Sequence, residues 1–441
     1  MVDVDVLIVG GGAQGLWLLN DLTKRHYKAI VLERYELGAG QTCHSHGLIH
    51  RGHYYDDVDM MIVLNAAAQF WQAFIGEKGI EKLNPERALA GFGPGTEVAR
   101  HTYFWETAGL AFDQCSQGPD VLQGGRVRKL FETEEFSLDA SEVIAGLSGD
   151  VDHCIYKLDD SDDALLFECD GSTVRSVEAS LDGRKVEIAP RFVMLTAGVG
   201  NRTLLASLGA DANPNAARTP VQAQRKNHMM VLRGEGLPMM TAVFPIKGGL
   251  QGVFLCPRRD PETGRPVWLV SDHNSLPFDM TADGVGSLGS EPSGEWVKRM
   301  LISLRAAAPA VLTDDMTERL DVAVYTGLTS ERNFGVGQHM TDCYIDPLGF
   351  ENVLTIWPTK LTMTPFASNV AVRFIRAKVP EPDGAWPRVE RSIQAPPPAV
   401  APEMWCRAEL DTPTKAKTPW LSYPQFVEQW EASHAGAGRG R

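Results

Sequence analysis

No two cysteines of this chain form a CxxC pair, and the seven present (Cys43, Cys115, Cys154, Cys169, Cys256, Cys343, Cys406) are scattered and odd in number. That pattern offers neither a disulfide framework nor a zinc site, and it fits a reducing compartment. Positive charge is also short. There are 42 Lys and Arg against 56 Asp and Glu, a formal charge of −14, which argues against nucleic acid or an anionic membrane surface as the main partner. No run of about 18 apolar residues occurs, so no transmembrane segment is expected. The N-terminus lacks the basic-then-apolar order of a secretory signal, and the protein reads as cytoplasmic. Its 441 residues exceed one simple core, so two or more domains are expected. A hydrophobic share of 44% is ordinary for a globular chain.

What is present begins at once. Val4-Asp5-Val6-Leu7-Ile8-Val9 is a short β-branched strand, followed directly by Gly10-Gly11-Gly12-Ala13-Gln14-Gly15 and a helical stretch from Leu16 to Arg25. A second apolar strand, Ala29-Ile30-Val31-Leu32, ends on Glu33. A strand, three spaced glycines, a helix and an acid about 20 residues on make a specific dinucleotide fingerprint. Gly10 permits the tight turn, Gly12 lets backbone approach a pyrophosphate, and Gly15 lets helix and strand pack closely. The amides at the helix start, Ala13 and Gln14 among them, favour phosphate, and Glu33 is placed to accept from a ribose.

An irregular loop rich in Gly, Ser and His follows Glu33 and Arg34, where a nicotinamide-binding domain would normally continue with another helix and strand. Its sequence runs from Gly38-Ala39-Gly40-Gln41-Thr42 through His44-Ser45-His46-Gly47-Leu48-Ile49-His50 to Tyr54-Tyr55, with a helix expected around 59–79. It resembles the D-amino-acid-oxidase superfamily of FAD enzymes. The likeness is greatest to the branch of 2-hydroxyglutarate dehydrogenases and FAD-dependent glycerol-3-phosphate dehydrogenases, whose stretch "GxxQT…SG-I-H-G-YY" runs past the flavin. The resemblance implies FAD as cofactor, with Arg34, Gln41, Thr42, His46, Gly47 and Leu48 beside it.

Two later segments carry the same resemblance. Arg191–Asn201 is similar to the family's third FAD-domain strand, which implies Ala197, Gly198 and Asn201 near the cofactor. Lys360-Leu361-Thr362 echoes a "GGKLT" motif, with Pro358-Thr359 replacing the two glycines. A helix expected over Pro365–Arg373 would direct its N-terminal amides at the flavin edge that gains negative charge on reduction.

The fold class expected is α/β, with a discontinuous Rossmann-like FAD-binding domain and a mixed, mostly antiparallel substrate-domain sheet. The expected partition is 1–78, 151–210 and 323–378 for the FAD domain, and 79–150 and 211–322 for the substrate domain. A Pro-rich extension follows over 379–441, where polyproline geometry is favoured over a packed core. Residues 165–190 alternate as a hairpin suited to the substrate domain, with Asp170-Gly171 and Asp182-Gly183 as turn signals.

His44, His46, His50 and His53 fall within ten residues, but their spacing matches no zinc set and no carboxylate stands between them, so no metal is expected. The resemblance instead places this loop beside the flavin and assigns His50, aligned with the family's "IHxG", to the chemistry. It also suggests Arg332 as an anion clamp, and Arg225 and His273, at the ends of expected strands, are further candidates to face the substrate. The function expected is removal of hydride from a carbon bearing a hydroxyl in a small anionic hydroxy acid or polyol derivative, giving a keto product. Amine or amino-acid oxidation is the alternative, and a nucleotide-binding protein without redox activity is a third. The electron acceptor, whether oxygen, quinone or protein, stays open.

Overall fold

The computed structural model describes residues 1–210, 221–244, 252–272, 292–332, 343–358, 360–382, 393, 395–406 and 420–435. At its centre Val2–Val9 pairs in parallel with Ala29–Glu33 on one side and Arg184–Leu195 on the other. Ile155–Lys157 and Val353–Pro358 extend the parallel set, and Cys343–Asp346 adds an antiparallel edge. Val6, Ile8, Val31 and Met194 pack beneath the helices Ala13–Thr23 and Thr364–Lys378, while Leu7, Val9, Ile30 and Val193 enter a second core on the other face. Burial on both faces is why these strands read as near-continuous apolar runs. The hairpin Leu165–Asp170 and Thr173–Leu181 forms as its turn residues indicate, but it joins this sheet through Arg184–Leu195 rather than the substrate sheet.

The second sheet has nine strands, antiparallel throughout except where Ala242–Phe244 meets Ala88–Phe92. Its longest pairing joins Gln222–Gly234 to Leu320–Arg332 across 13 residues of each. Pro266–Asp272 and Val253–Arg259 follow in order. Alternation sorts the side chains between two cores: Met230, Leu232 and Val270 face one, Met229, Val231 and Leu269 the other. The helix Gly294–Ala307, capped by the Ser293 hydroxyl, packs Trp296, Met300 and Leu304 into the first of these. Because Leu320–Arg332 lies wholly in this sheet, a domain boundary at 322/323 would divide a continuous strand.

The helix Val58–Lys78 starts at Asp57, whose carboxylate accepts from the Met60 amide, and stops at Gly79 with φ +67°. Among the described residues it is the one helix long and apolar enough to cross a membrane by length and composition. Here it buries Met61, Leu64, Ala67, Ala68 and Trp71 inside the protein.

The Pro-rich segment departs from expectation, since part of it is packed. The Leu37 amide donates to Ala399 O at 2.8 Å, and the Ala401 amide returns to Leu37 O at 2.9 Å. Glu403, buried, accepts from the Ala140 amide at 2.9 Å and from Arg258 Nε at 2.6 Å. Beyond it the helix Tyr423–Ala435 buries Phe426, and Trp430 Nε1 donates to Gly294 O.

Candidate active site

A cavity of about 460 Å3 runs from the glycine turn of the first sheet to the second sheet. At the glycine end, Gly10 has φ +115°, and a Cβ there would stand 2.5 Å from Ala197 backbone. A Cβ on Gly15 would stand 2.0 Å from Gly10 O, so Gly15 serves helix packing and does not line the cavity. Gly12 differs: a Cβ there would meet only the Thr42 hydroxyl, at 3.4 Å, and Gly12 lines the open space. The helix Ala13–Thr23 has no side-chain cap and no acid in its first turn. The Gln14 amide is buried against the cavity, and neither its oxygen nor its nitrogen has a partner among the described residues.

Glu33 and Arg34 line the same end. The Glu33 carboxylate accepts from the Gly11 amide at 2.6 Å and the Tyr35 amide at 2.9 Å, so it also fastens the turn. Burial raises its pKa, opposed by these hydrogen bonds. A bare helix start, an open glycine, an unsatisfied buried amide and an acid at the end of the second strand fit a dinucleotide.

Farther along, Gln41, Thr42, His46, Leu48, Ala197, Gly198, Lys360 and Leu361 all line the cavity, as does His50. Three expected contacts do not, and each has a structural task. Gly47 (φ +56°) turns where a Cβ would stand 2.1 Å from Leu138 O. Asn201 is buried, accepting from the Ala197 amide at 2.7 Å and donating to Leu195 O. Thr362 accepts from the His50 amide at 3.1 Å, and its carbonyl accepts from Trp71 Nε1, which fixes the backbone under His50. Thr364, at the start of Thr364–Lys378 with Pro365 in its first turn, reaches the cavity instead.

The histidines separate. His44, His46 and His50 line the cavity. His53 is buried elsewhere, Nδ1 at 2.9 Å from Glu135 and Nε2 at 3.2 Å from Ala111 O. Both ring nitrogens therefore stand within hydrogen-bond reach of an oxygen. Burial would raise the Glu135 carboxyl, but His53 and the Thr133 hydroxyl, with help from His50, bring it down to about 2. Burial, reinforced by Arg258, lowers His46 to about 4. Burial, with Lys226 and Arg299, does the same to His228.

On the second sheet, Arg225, Lys226, Asn227 and His228 enter the cavity from one strand. Arg225 pairs with buried Glu331 at 3.1 Å, and His228 Nδ1 lies 2.8 Å from the Thr326 hydroxyl. Arg332 is not where an anion clamp belongs: it is buried outside the cavity lining, donating to Asp346 at 3.0 Å and to Val221 O at 3.1 Å. Arg332 ends the strand two residues beyond Ser330, the last residue of that strand to line the cavity. His273 and Thr359 lie outside the described residues. Tyr54, Phe254 and Trp296 also line the cavity without having been singled out. Tyr54 and Tyr55 stood in the quoted loop motif, whereas Phe254 and Trp296 arrive only through sheet register and helix packing.

Fold and cavity together define an FAD-binding oxidoreductase, and comparison with known proteins agrees. The profile of the family described as FAD dependent oxidoreductase (DAO) matches residues 5–130. A probable FAD-dependent oxidoreductase of Pseudomonas aeruginosa, PA4991, is 26% identical over 438 residues, covering 92% of this chain and 98% of its own. Its crystal structure superposes with a TM-score of 0.66 at 21% identity, over the same shares of the two chains. One polypeptide of the anaerobic glycerol-3-phosphate dehydrogenase of Escherichia coli is 40% identical over 55 residues, 12% of this chain and 10% of its own. Glycine oxidase from Geobacillus kaustophilus shares the fold, with a TM-score of 0.61 at 16% identity, over 88% of this chain and 97% of its own. These likenesses fit the D-amino-acid-oxidase superfamily, and the chain is an FAD-dependent oxidoreductase.

Proposed function

We propose that this enzyme oxidises a carbon bearing a hydroxyl to a ketone in a small anionic molecule, with His50 as the proton acceptor. FAD, when bound, supplies the acceptor for the hydride released from that carbon. The hydroxyl proton passes to the His50 imidazole, and the C–O bond becomes C=O. The observation that carries this reading is the concentration of imidazoles in the cavity: His50 between the tyrosine pair and Thr362, and His46 and His228 each held neutral at about 4. An alcohol needs a base to lose its proton, and an unprotonated imidazole is one at neutral pH. Lys226, beside the Arg225–Glu331 pair, gives the second-sheet wall the positive charge an anion requires. In this reading the parallel sheet carries FAD, through Gly10, Gly12, Gln14 and Glu33, and the antiparallel sheet closes over the substrate.

Amine oxidation is the second reading, favoured by the likeness to glycine oxidase, since a free amine reacts without a base. Anaerobic bleaching of the flavin absorbance against 2-hydroxy acids, polyol phosphates and amino acids separates the two. Bleaching by a hydroxylated anion is the expected result. Bleaching by amino acids alone would replace this reading with the second.

A further inference from the structure

The substrate end of the cavity is walled by rings. Tyr54 meets Phe254 at a centroid distance of 5.0 Å and an interplanar angle of 80°, and His46 meets the same Phe254 at 5.6 Å and 83°. His50 stands against Tyr54 at 5.2 Å and 63°. His228 meets Trp296 at 5.2 Å and 61°. All of these line the cavity, and they come from four separate parts of the chain. Phe254 and Trp296 belong to the second sheet and the helix covering it, not to the glycine turn that identifies the nucleotide end.

Steep ring-to-ring angles of this kind form a wall that one more ring extends favourably, because aromatic edges carry positive and faces negative charge density. Positive groups occur beside this wall, in Arg225 and Lys226. A three-carbon hydroxy acid would use the charge and leave most of the ring surface uncontacted. We infer that the substrate carries a planar aromatic or heteroaromatic body beside its anionic group, the body lying among Tyr54, Phe254 and Trp296. This rests on the cavity being the oxidation site proposed above, and it narrows the substrate from any small anion to a ring-bearing one.

Two matched pairs test it with the FAD-loaded enzyme: 3-phenyllactate against lactate, and phenylalanine against alanine, each followed by anaerobic flavin bleaching. Burying a phenyl group gives the ring-bearing member an expected advantage of about 10- to 100-fold in kcat/KM. Phe254→Leu, which keeps apolar volume but removes the ring, reduces that advantage severalfold. An equal or better rate with the short member of the reactive pair overturns the inference. Which pair reacts decides the bond oxidised, so the hydroxyl reading can fail while the ring preference stands, and the reverse. If Phe254→Leu does not fold, the wild-type ratio decides alone.

Discussion

Gly10, Gly12 and Gly15 share one short motif, yet only Gly12 is free of the protein's own backbone. A side chain at Gly10 or Gly15 strikes main chain at 2.5 or 2.0 Å, whereas one at Gly12 meets a single hydroxyl. Gly12 also has an extended conformation, φ −79° and ψ −179°, which any L-residue adopts. Gly12→Val therefore folds normally but fills the space a pyrophosphate needs. Purified Gly12→Val is expected to lose at least about tenfold in bound flavin at an unchanged circular dichroism spectrum. Stoichiometric flavin in that variant would refute the fingerprint. The sequence discloses the motif because its residues are contiguous. It could not separate cavity contacts from supports, and Asn201 and Thr362 fall on the supporting side because their side chains satisfy backbone groups.

At the scale of elements, composition misleads most in the C-terminal segment. Prolines forbid helix and strand there, but they do not forbid docking, and Leu37 offers an amide and a carbonyl to residues 399 and 401. Glu403 then links the helix Ala140–Ser148 to Arg258 on the second sheet, both side chains being almost wholly buried. Trp405 Nε1 donates to the same carboxylate at 2.5 Å. Removing one member of a buried pair leaves a bare charge, so Glu403→Ala is expected to cost about 3–5 kcal/mol of stability. Replacing both partners, Glu403→Gln with Arg258→Met, should recover most of that loss. Denaturant unfolding checks both, and a loss under about 1 kcal/mol for Glu403→Ala would show that the link contributes little.

At the scale of the whole molecule, a parallel sheet legible in the sequence meets an antiparallel sheet whose strands are legible but whose register is not. The first sheet's central parallel strands are buried on both faces and announce themselves as apolar runs. The second places Arg225 and His228 opposite Thr329 and Thr326 by a pairing across roughly a hundred residues, which local patterns do not encode. Arg332, suggested by resemblance alone, instead binds Asp346, while that register brings Arg225 into the cavity. The histidine loop joins the two sheets, and the proposed chemistry centres on His50. The most direct measurement is the single-turnover anaerobic bleaching rate of His50→Asn against wild type, using the best hydroxylated substrate, with flavin content recorded for both. The Thr362 hydrogen bond comes from the His50 backbone and survives the substitution. Loss of a general base predicts a fall of about 10²- to 10⁴-fold at unchanged flavin content. A bleaching rate within about threefold of wild type, at that same flavin content, would contradict the role given to His50.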